Sequence, residues 1–202
     1  MYRIRNSAIE WLYLRANGIE DEDIESICMA MKESSIKYLD LSFNNFGKNS
    51  IKFFVETLRE NNVLLYLGLA GLNLTIEDII PLLGEFGRID IPMEQYEEIL
   101  VRIKERNAII EKNKKARKKK QEPVPLVPNV IQDDKGNPYI LKHEDFKHLN
   151  LALNNLDDSA VEEIDKLLAR TTSRFVLTIT DNKISSEGLN RLKAKYRNRV
   201  IT

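Results

Sequence analysis

The side chains able to do chemistry are few, and their spacing does not assemble a reactive centre. There are two histidines, His143 and His148, and one cysteine, Cys28. These three cannot supply the four-ligand N/S shell of a typical zinc site. Cys28 lies in an apolar stretch, where a thiol behaves as a small inert hydrophobe, and a lone cysteine excludes an intrachain disulfide and suits a reducing compartment. The acidic run Glu20, Asp21, Glu22, Asp23 looks like a metal cluster only in isolation. It opens a helical pattern, where carboxylates are stabilised by the N-terminal dipole without metal. GLAGLNLT (residues 68–75) has glycines but lacks the lysine of a phosphate loop. The expectation is therefore a protein with no catalytic residues, no metal and no cofactor.

The densest charge is the run Lys112, Lys114, Lys115, Arg117, Lys118, Lys119 and Lys120. Such a run suits a solvated helix end, a contact to an acidic protein surface, or a contact to nucleic acid including a nuclear address. No aromatic interleaves the lysines, which counts against single-stranded nucleic acid. The whole chain balances 31 Lys+Arg against 31 Asp+Glu, so coating nucleic acid or an anionic membrane is not expected. The N-terminus, MYRIRNSAIEWLYL, has no uninterrupted apolar core of a signal peptide, and no apolar stretch reaches membrane-spanning length. A cytoplasmic protein without a membrane partner is the expectation.

The elements that position these residues repeat. IEWLYLRANGI, IKYLDLSFNNF, LLYLGLAGLNL, FKHLNLALNNL and RFVLTITDNKI start at Ile9, Ile36, Leu64, Phe146 and Arg174. The starts are 27, 28, 82 and 28 residues apart, so one interval holds a repeat plus 54 extra residues. Apolar residues at positions four and six put two side chains on one face of a short strand. Position nine is asparagine (Asn17, Asn44, Asn154, Asn182) except in repeat three, where Leu72 stands. An inward asparagine can bond the backbone of the bend, so the bend of repeat three is expected to rely on packing alone. Positions 16, 19 and 23 are apolar in all five repeats, the i, i+3, i+7 spacing of one helix face. Start signals precede these helices, including Thr75-x-x-Asp78. Each fully buried leucine contributes about 1.5–3 kcal/mol, but only once neighbouring repeats stack.

The pattern LxxLxLxxNxL in units of 27–28 residues resembles the ribonuclease-inhibitor type of leucine-rich repeat. That resemblance implies an α/β leucine-rich-repeat solenoid, a short horseshoe with parallel strands on the concave side and helices outside. It also implies binding of proteins rather than catalysis. On the concave side position three reads Trp11, Tyr38, Tyr66, His148 and Val176, and position five reads Tyr13, Asp40, Gly68, Asn150 and Thr178. With Phe43 and Phe175 nearby, the expected protein-binding residues are Trp11, Tyr13, Tyr38, Asp40, Phe43, Tyr66, His148, Asn150 and Phe175. Gly68, Ala70 and Gly71 would leave repeat three bare, for a partner or for the inserted segment.

The layout expected is repeats one to three over 1–87, an insertion over 88–141, and repeats four and five with a C-terminal cap over 142–202. Within the insertion, Met93, Tyr96, Leu100, Ile103, Asn107 and Ile110 form a heptad-like seam. PVPLVP (residues 123–128) is a stiff extended segment, and Val130 and Ile131 face Tyr139 and Ile140 across a DDKGN turn. The functional expectation is a scaffold or adaptor with protein partners in a larger assembly. A looser similarity to leucine-rich-repeat proteins of ciliary and flagellar axonemes implies a cytoskeletal setting. The alternatives are a regulator of a small GTPase, with Arg15 or Asn45 at a loop tip, and an RNA-associated factor using the lysine run.

Overall fold

The computed structural model describes residues 8–115, 122–172 and 174–202. The chain forms two compact units, Met1–Gly87 with His143–Thr202, and Arg88–Lys142.

In the first unit, strands β1 (Trp11–Tyr13), β2 (Tyr38–Asp40) and β3 (Tyr66–Gly68) alternate with helices α1 (Asp21–Lys32), α2 (Lys48–Glu60) and α3 (Ile76–Leu83). All three strands are parallel, paired residue for residue at equivalent repeat positions. The sheet continues after the second unit, whose elements are β4 (Gly87–Asp90), α4 (Met93–Lys115), β5 (Val130–Gln132) and β6 (Pro138–Lys142). Strand β7 (His148–Asn150) then pairs with β3, and β8 (Val176–Thr178) pairs with β7, each again parallel and in register. Helices α5 (Ala160–Arg170) and α6 (Ser186–Tyr196) follow them. The core lies between strands and helices, where Leu39, Leu67, Leu149 and Leu177 of position four are buried with Ile24, Ile51, Ile79 and Ile164 of position 16 or 19.

The RNRVIT tail does more than cover the last repeat. Arg197–Arg199 make one 3-10 turn, and β9 (Val200–Ile201) adds a sixth parallel strand beside β8. Arg199 reaches back to the carbonyls of Phe175 and Leu168 and the hydroxyl of Thr171. In the first repeat Ile9 is 44% exposed, where its counterpart Ile36 is fully buried. Helix α3 is short because Pro81 lies within it, where a proline removes a backbone donor and crowds the preceding turn. Phe86, expected on that helix, follows its end, yet it still fills the core against Phe146 and Phe175, ring centroids 4.5 and 5.5 Å away.

The acidic run is a set of helix caps. Glu20 and Asp23 form a capping box on α1, and Asp21 accepts from the Gly47 amide and the Ser50 hydroxyl at the start of the neighbouring α2. Thr75 and Asp78 form the expected capping box on α3.

The bends correct the expectation for repeat three. Asn44, Asn154 and Asn182 each serve the bend of the preceding repeat as well as their own. Asn154 Oδ1 accepts from the amides of Leu72 and Leu74, and its Nδ2 donates to the carbonyls of Leu69 and Leu151. Asn44 does the same for Asn17, Ile19, Leu14 and Leu41. The bend of repeat three is thus held by the asparagine of repeat four. The bend that receives no asparagine from its follower is that of repeat two, opposite Leu72. Position eight of every repeat has positive φ: Ala16, Phe43, Gly71, Leu153 and Asp181, at 54° to 67°.

In the second unit, β5 and β6 pair antiparallel, Val130 with Ile140 and Ile131 with Tyr139, and β4 lies on the far side of β6. Asp133 ties the turn, accepting from the amides of Lys135 and Asn137 and from Arg88. On α4 the sheltered residues are Tyr96, Ile99, Leu100, Ile103, Arg106, Ile109, Ile110 and Asn113, while Met93 and Asn107 are exposed. The expected seam is corrected at Met93 and Asn107, which face solvent, while Ile99, Arg106 and Asn113 join Tyr96, Leu100, Ile103 and Ile110 on the sheltered side. Among the described residues no helix is long and apolar enough to cross a membrane.

Candidate functional site

In the parallel register, Trp11, Tyr38, Tyr66, His148 and Val176 stand side by side across the strands. They share the face opposite the buried leucines, because side chains alternate along a strand. The rings of Trp11 and Tyr38 are stacked, 3.7 Å between centroids and 4° between planes. Tyr13 stands beside them with its centroid 6.4 Å from that of Trp11. Trp11 is 54% exposed and Tyr13 60%, so the stack forms an apolar platform facing water. Its rim carries the Glu10–Lys37 ion pair at 2.6 Å, and the Arg15 guanidinium lies 4.1 Å over the Phe43 ring. That cation–π contact holds Phe43 over the bend of repeat three.

Along the sheet the face turns polar. Tyr66 meets the edge of His148 at 5.2 Å, and His148 Nε2 lies 2.8 Å from the Thr178 hydroxyl. Burial pushes the His148 imidazole below its usual value, so it sits neutral in this hydrogen bond at neutral pH. Asn150 caps its own strand end, accepting from the Ala152 amide at 3.1 Å, and its Nδ2 lies 3.5 Å from the Tyr66 hydroxyl. Asp40 is almost fully buried and accepts from the Ser42 amide.

Repeat three is not bare. A Cβ on Gly68 would stand 2.4 Å from Asp40 Oδ1, and one on Gly71 would stand 2.8 Å from the Phe43 ring. The missing side chains make room for two neighbours from repeat two. Gly71 also has φ +67°, so only glycine suits both the conformation and the space.

Two expected binding residues are therefore structural. Asp40 fills the space over Gly68. Phe175 is 2% exposed and belongs to the Phe86–Phe146–Phe175 cluster, which corrects its assignment to the open face. The physical reason is a one-residue shift. Ile36, Leu64 and Phe146 occupy the first core place of their repeats, whereas Arg174 is exposed and Phe175 takes that place. The structure brings together Trp11, Tyr13, Tyr38 and, one bend away, Phe43, and extends their row through Tyr66, His148 and Asn150.

Of the basic run, Lys112 pairs with Glu122, and Lys114 with Glu111 at 2.6 Å. The Lys115 side chain and Arg117, Lys118, Lys119 and Lys120 lie outside the described residues. Asn45 approaches the Glu20 carboxylate, and Arg15 is engaged with Phe43. Cys28 is buried, and burial pushes its thiol up to about 12.

Residues 33–55 and 143–164 each match the sequence model of a leucine-rich-repeat family. No curated protein matches the chain by sequence. Among solved structures the fold is similar to the one titled leiomodin-1 actin-binding site 2. The TM-score is 0.53 at 10% identity, covering 95% of this chain and 83% of that one. The first unit is thus an α/β fold with a parallel, in-register sheet, and two of its segments match a leucine-rich-repeat model.

Proposed function

We propose that this chain is a non-catalytic scaffold that binds a protein partner through the strand face of its first two repeats. The observation that carries the reading is the Trp11–Tyr38 stack with Tyr13 beside it, large rings held in fixed geometry on a surface the core does not need. Exposed Trp and Tyr of this kind anchor interfaces, since they bury much area at little entropic cost. The reading takes the repeats as a short solenoid of the ribonuclease-inhibitor type, with this face concave. Its narrower form places the protein in a cytoskeletal or axonemal assembly. Support for that form is the fold shared with the structure titled leiomodin-1 actin-binding site 2, and it makes actin the first partner to try.

The test is sedimentation and fluorescence titration of monomeric and filamentous actin with the wild type and a Trp11→Ala/Tyr38→Ala variant. Removing two interface anchors costs at least about 2 kcal/mol, a loss of thirtyfold or more in affinity. Binding that falls by this factor supports both the face and the cytoskeletal form. Binding unchanged by the variant removes the face from the reading. Absence of actin binding removes the actin form, and crosslinking in native cells with the same variant then tests the face alone.

A further inference from the structure

The most exposed large apolar side chain described belongs to the second unit: Leu126, at 92%, in the segment Pro123-Val-Pro-Leu-Val-Pro128. An exposed leucine in a floppy tether would carry no inference. This segment is neither floppy nor left to trail. From Glu122 to Pro128, three residues are prolines and three others precede a proline. A proline fixes φ near −65°, and the residue before it is driven to extended or polyproline II geometry. Leu126 alone is free of either constraint.

The segment is also clamped at both ends. On one side the Asn113 side chain of α4 accepts from the Glu122 amide at 2.8 Å and donates to the Glu122 carbonyl at 2.7 Å, while Lys112 pairs with the Glu122 carboxylate. On the other side the chain enters β5 at Val130. Between the clamps, Pro123, Val124, Pro125 and Leu126 are exposed, whereas Val127 and Pro128 are half-buried. Three residues per turn put Pro123 and Leu126 on one edge of a polyproline II helix. The edge and the neighbouring Pro125 face solvent without any partner described in the chain.

We infer that residues 123–128 are a presented docking ligand for a polyproline-reading protein module, one that grips extended proline-rich chain in a groove lined by aromatic side chains. The chemistry fits on three counts. Its prolines bias the segment towards the extended conformation such grooves select, so little entropy is lost on binding. It offers a proline–leucine edge with no competing contact. Its clamps fix both ends of the exposed stretch.

The test uses the full 202-residue chain in solution over a panel of purified, immobilised SH3, WW and EVH1 domains. At least one domain should bind saturably. Pro125→Ala/Leu126→Ser should weaken that binding at least tenfold without changing the melting temperature, because both residues are exposed. Asn113→Ala, which releases one clamp, should weaken it two- to tenfold, an effect that a merely sticky leucine would not show. Trp11→Ala/Tyr38→Ala should leave it unchanged, so this inference and the sheet-face reading fail separately. Silence of the wild type across the whole panel, or binding that survives Pro125→Ala/Leu126→Ser, overturns the inference.

Discussion

Replacing Asn154 by alanine should be the most damaging single-amide change in the repeat array. The side chain is 5% exposed and makes five backbone bonds, to the amides of Leu72 and Leu74 and the carbonyls of Leu69, Leu151 and Ala152. Alanine keeps none of them. Each orphaned buried amide costs about 1–3 kcal/mol, and the carbonyls somewhat less because they retain a second lone pair. The expected loss is about 3–5 kcal/mol, a large share of the stability of an ordinary domain. For a chain of this size that lowers the melting temperature by roughly 10 °C or more. Urea unfolding followed by circular dichroism reads it directly. Asn44→Ala, whose amide is only half-buried, and Asn182→Ala, which orphans one acceptor bond to Leu156, should each cost about 1–2 kcal/mol. Asn154→Asp should recover little, since it keeps the acceptor but sets an oxygen against the same carbonyls. A loss at Asn154 under about 1 kcal/mol, or no larger than at Asn44, would refute the idea that repeat three depends on its neighbour's asparagine.

Other outcomes follow from the same geometry. Ala16→Gly should raise stability by up to about 1 kcal/mol in the same assay, because Ala16 holds φ at 54° in the left-handed region that glycine enters without strain. Arg199→Ala should lower it by about 1.5–3 kcal/mol and speed amide exchange in β9, since three bonds that close the last repeat end on that guanidinium. The Cys28 thiol, raised in the folded state from 9.0 to about 12, should resist an aromatic disulfide reagent at pH 8 until the chain opens. Its contribution to stability is present below pH 9 and is lost as pH rises from 9 towards 12, because only the unfolded thiol ionises in that window. Rapid labelling of native protein at pH 8 would contradict the buried placement.

The strands were readable because leucines at positions four and six alternate across a pleat, and nothing but a sheet uses that spacing five times over. The helices were readable for the same reason at their own period. What escaped were interactions between repeats, which no single repeat contains. Asn154 looked like a residue of its own bend and serves the one before. Gly68 and Gly71 looked like vacancies, and Asp40 and Phe43 fill them. Phe175 looked exposed because it sits one place past the aligned core position, a slip visible only beside the polar Arg174. The left-handed position eight was marked only by Gly71 and Asp181, since alanine, phenylalanine and leucine are poor choices for it. Strand β9 is two residues long, too short for any period. The aromatic row was legible, because Trp11, Tyr13 and Tyr38 occupy places where packing makes no demand.

The second unit interrupts the array without disturbing its ladder: Leu67 pairs with Leu149 as cleanly as Leu39 pairs with Leu67. Closing a connection of 82 residues instead of 28 adds only about 1 kcal/mol of chain entropy, since the penalty grows with the logarithm of length. The asymmetry appears when the connection is cut. A break between Glu122 and Leu126, an exposed stretch, turns an intramolecular closure into an encounter between two molecules. The millimolar effective concentration that the tether supplies disappears with it. Repeats four and five would then stay on repeats one to three only as strongly as a dilute complex holding through β3–β7, the phenylalanine cluster and the β4–β6 pairing. A single proteolytic event at that exposed segment would act as a ratchet, separating the aromatic half of the sheet from the half that carries its closed end.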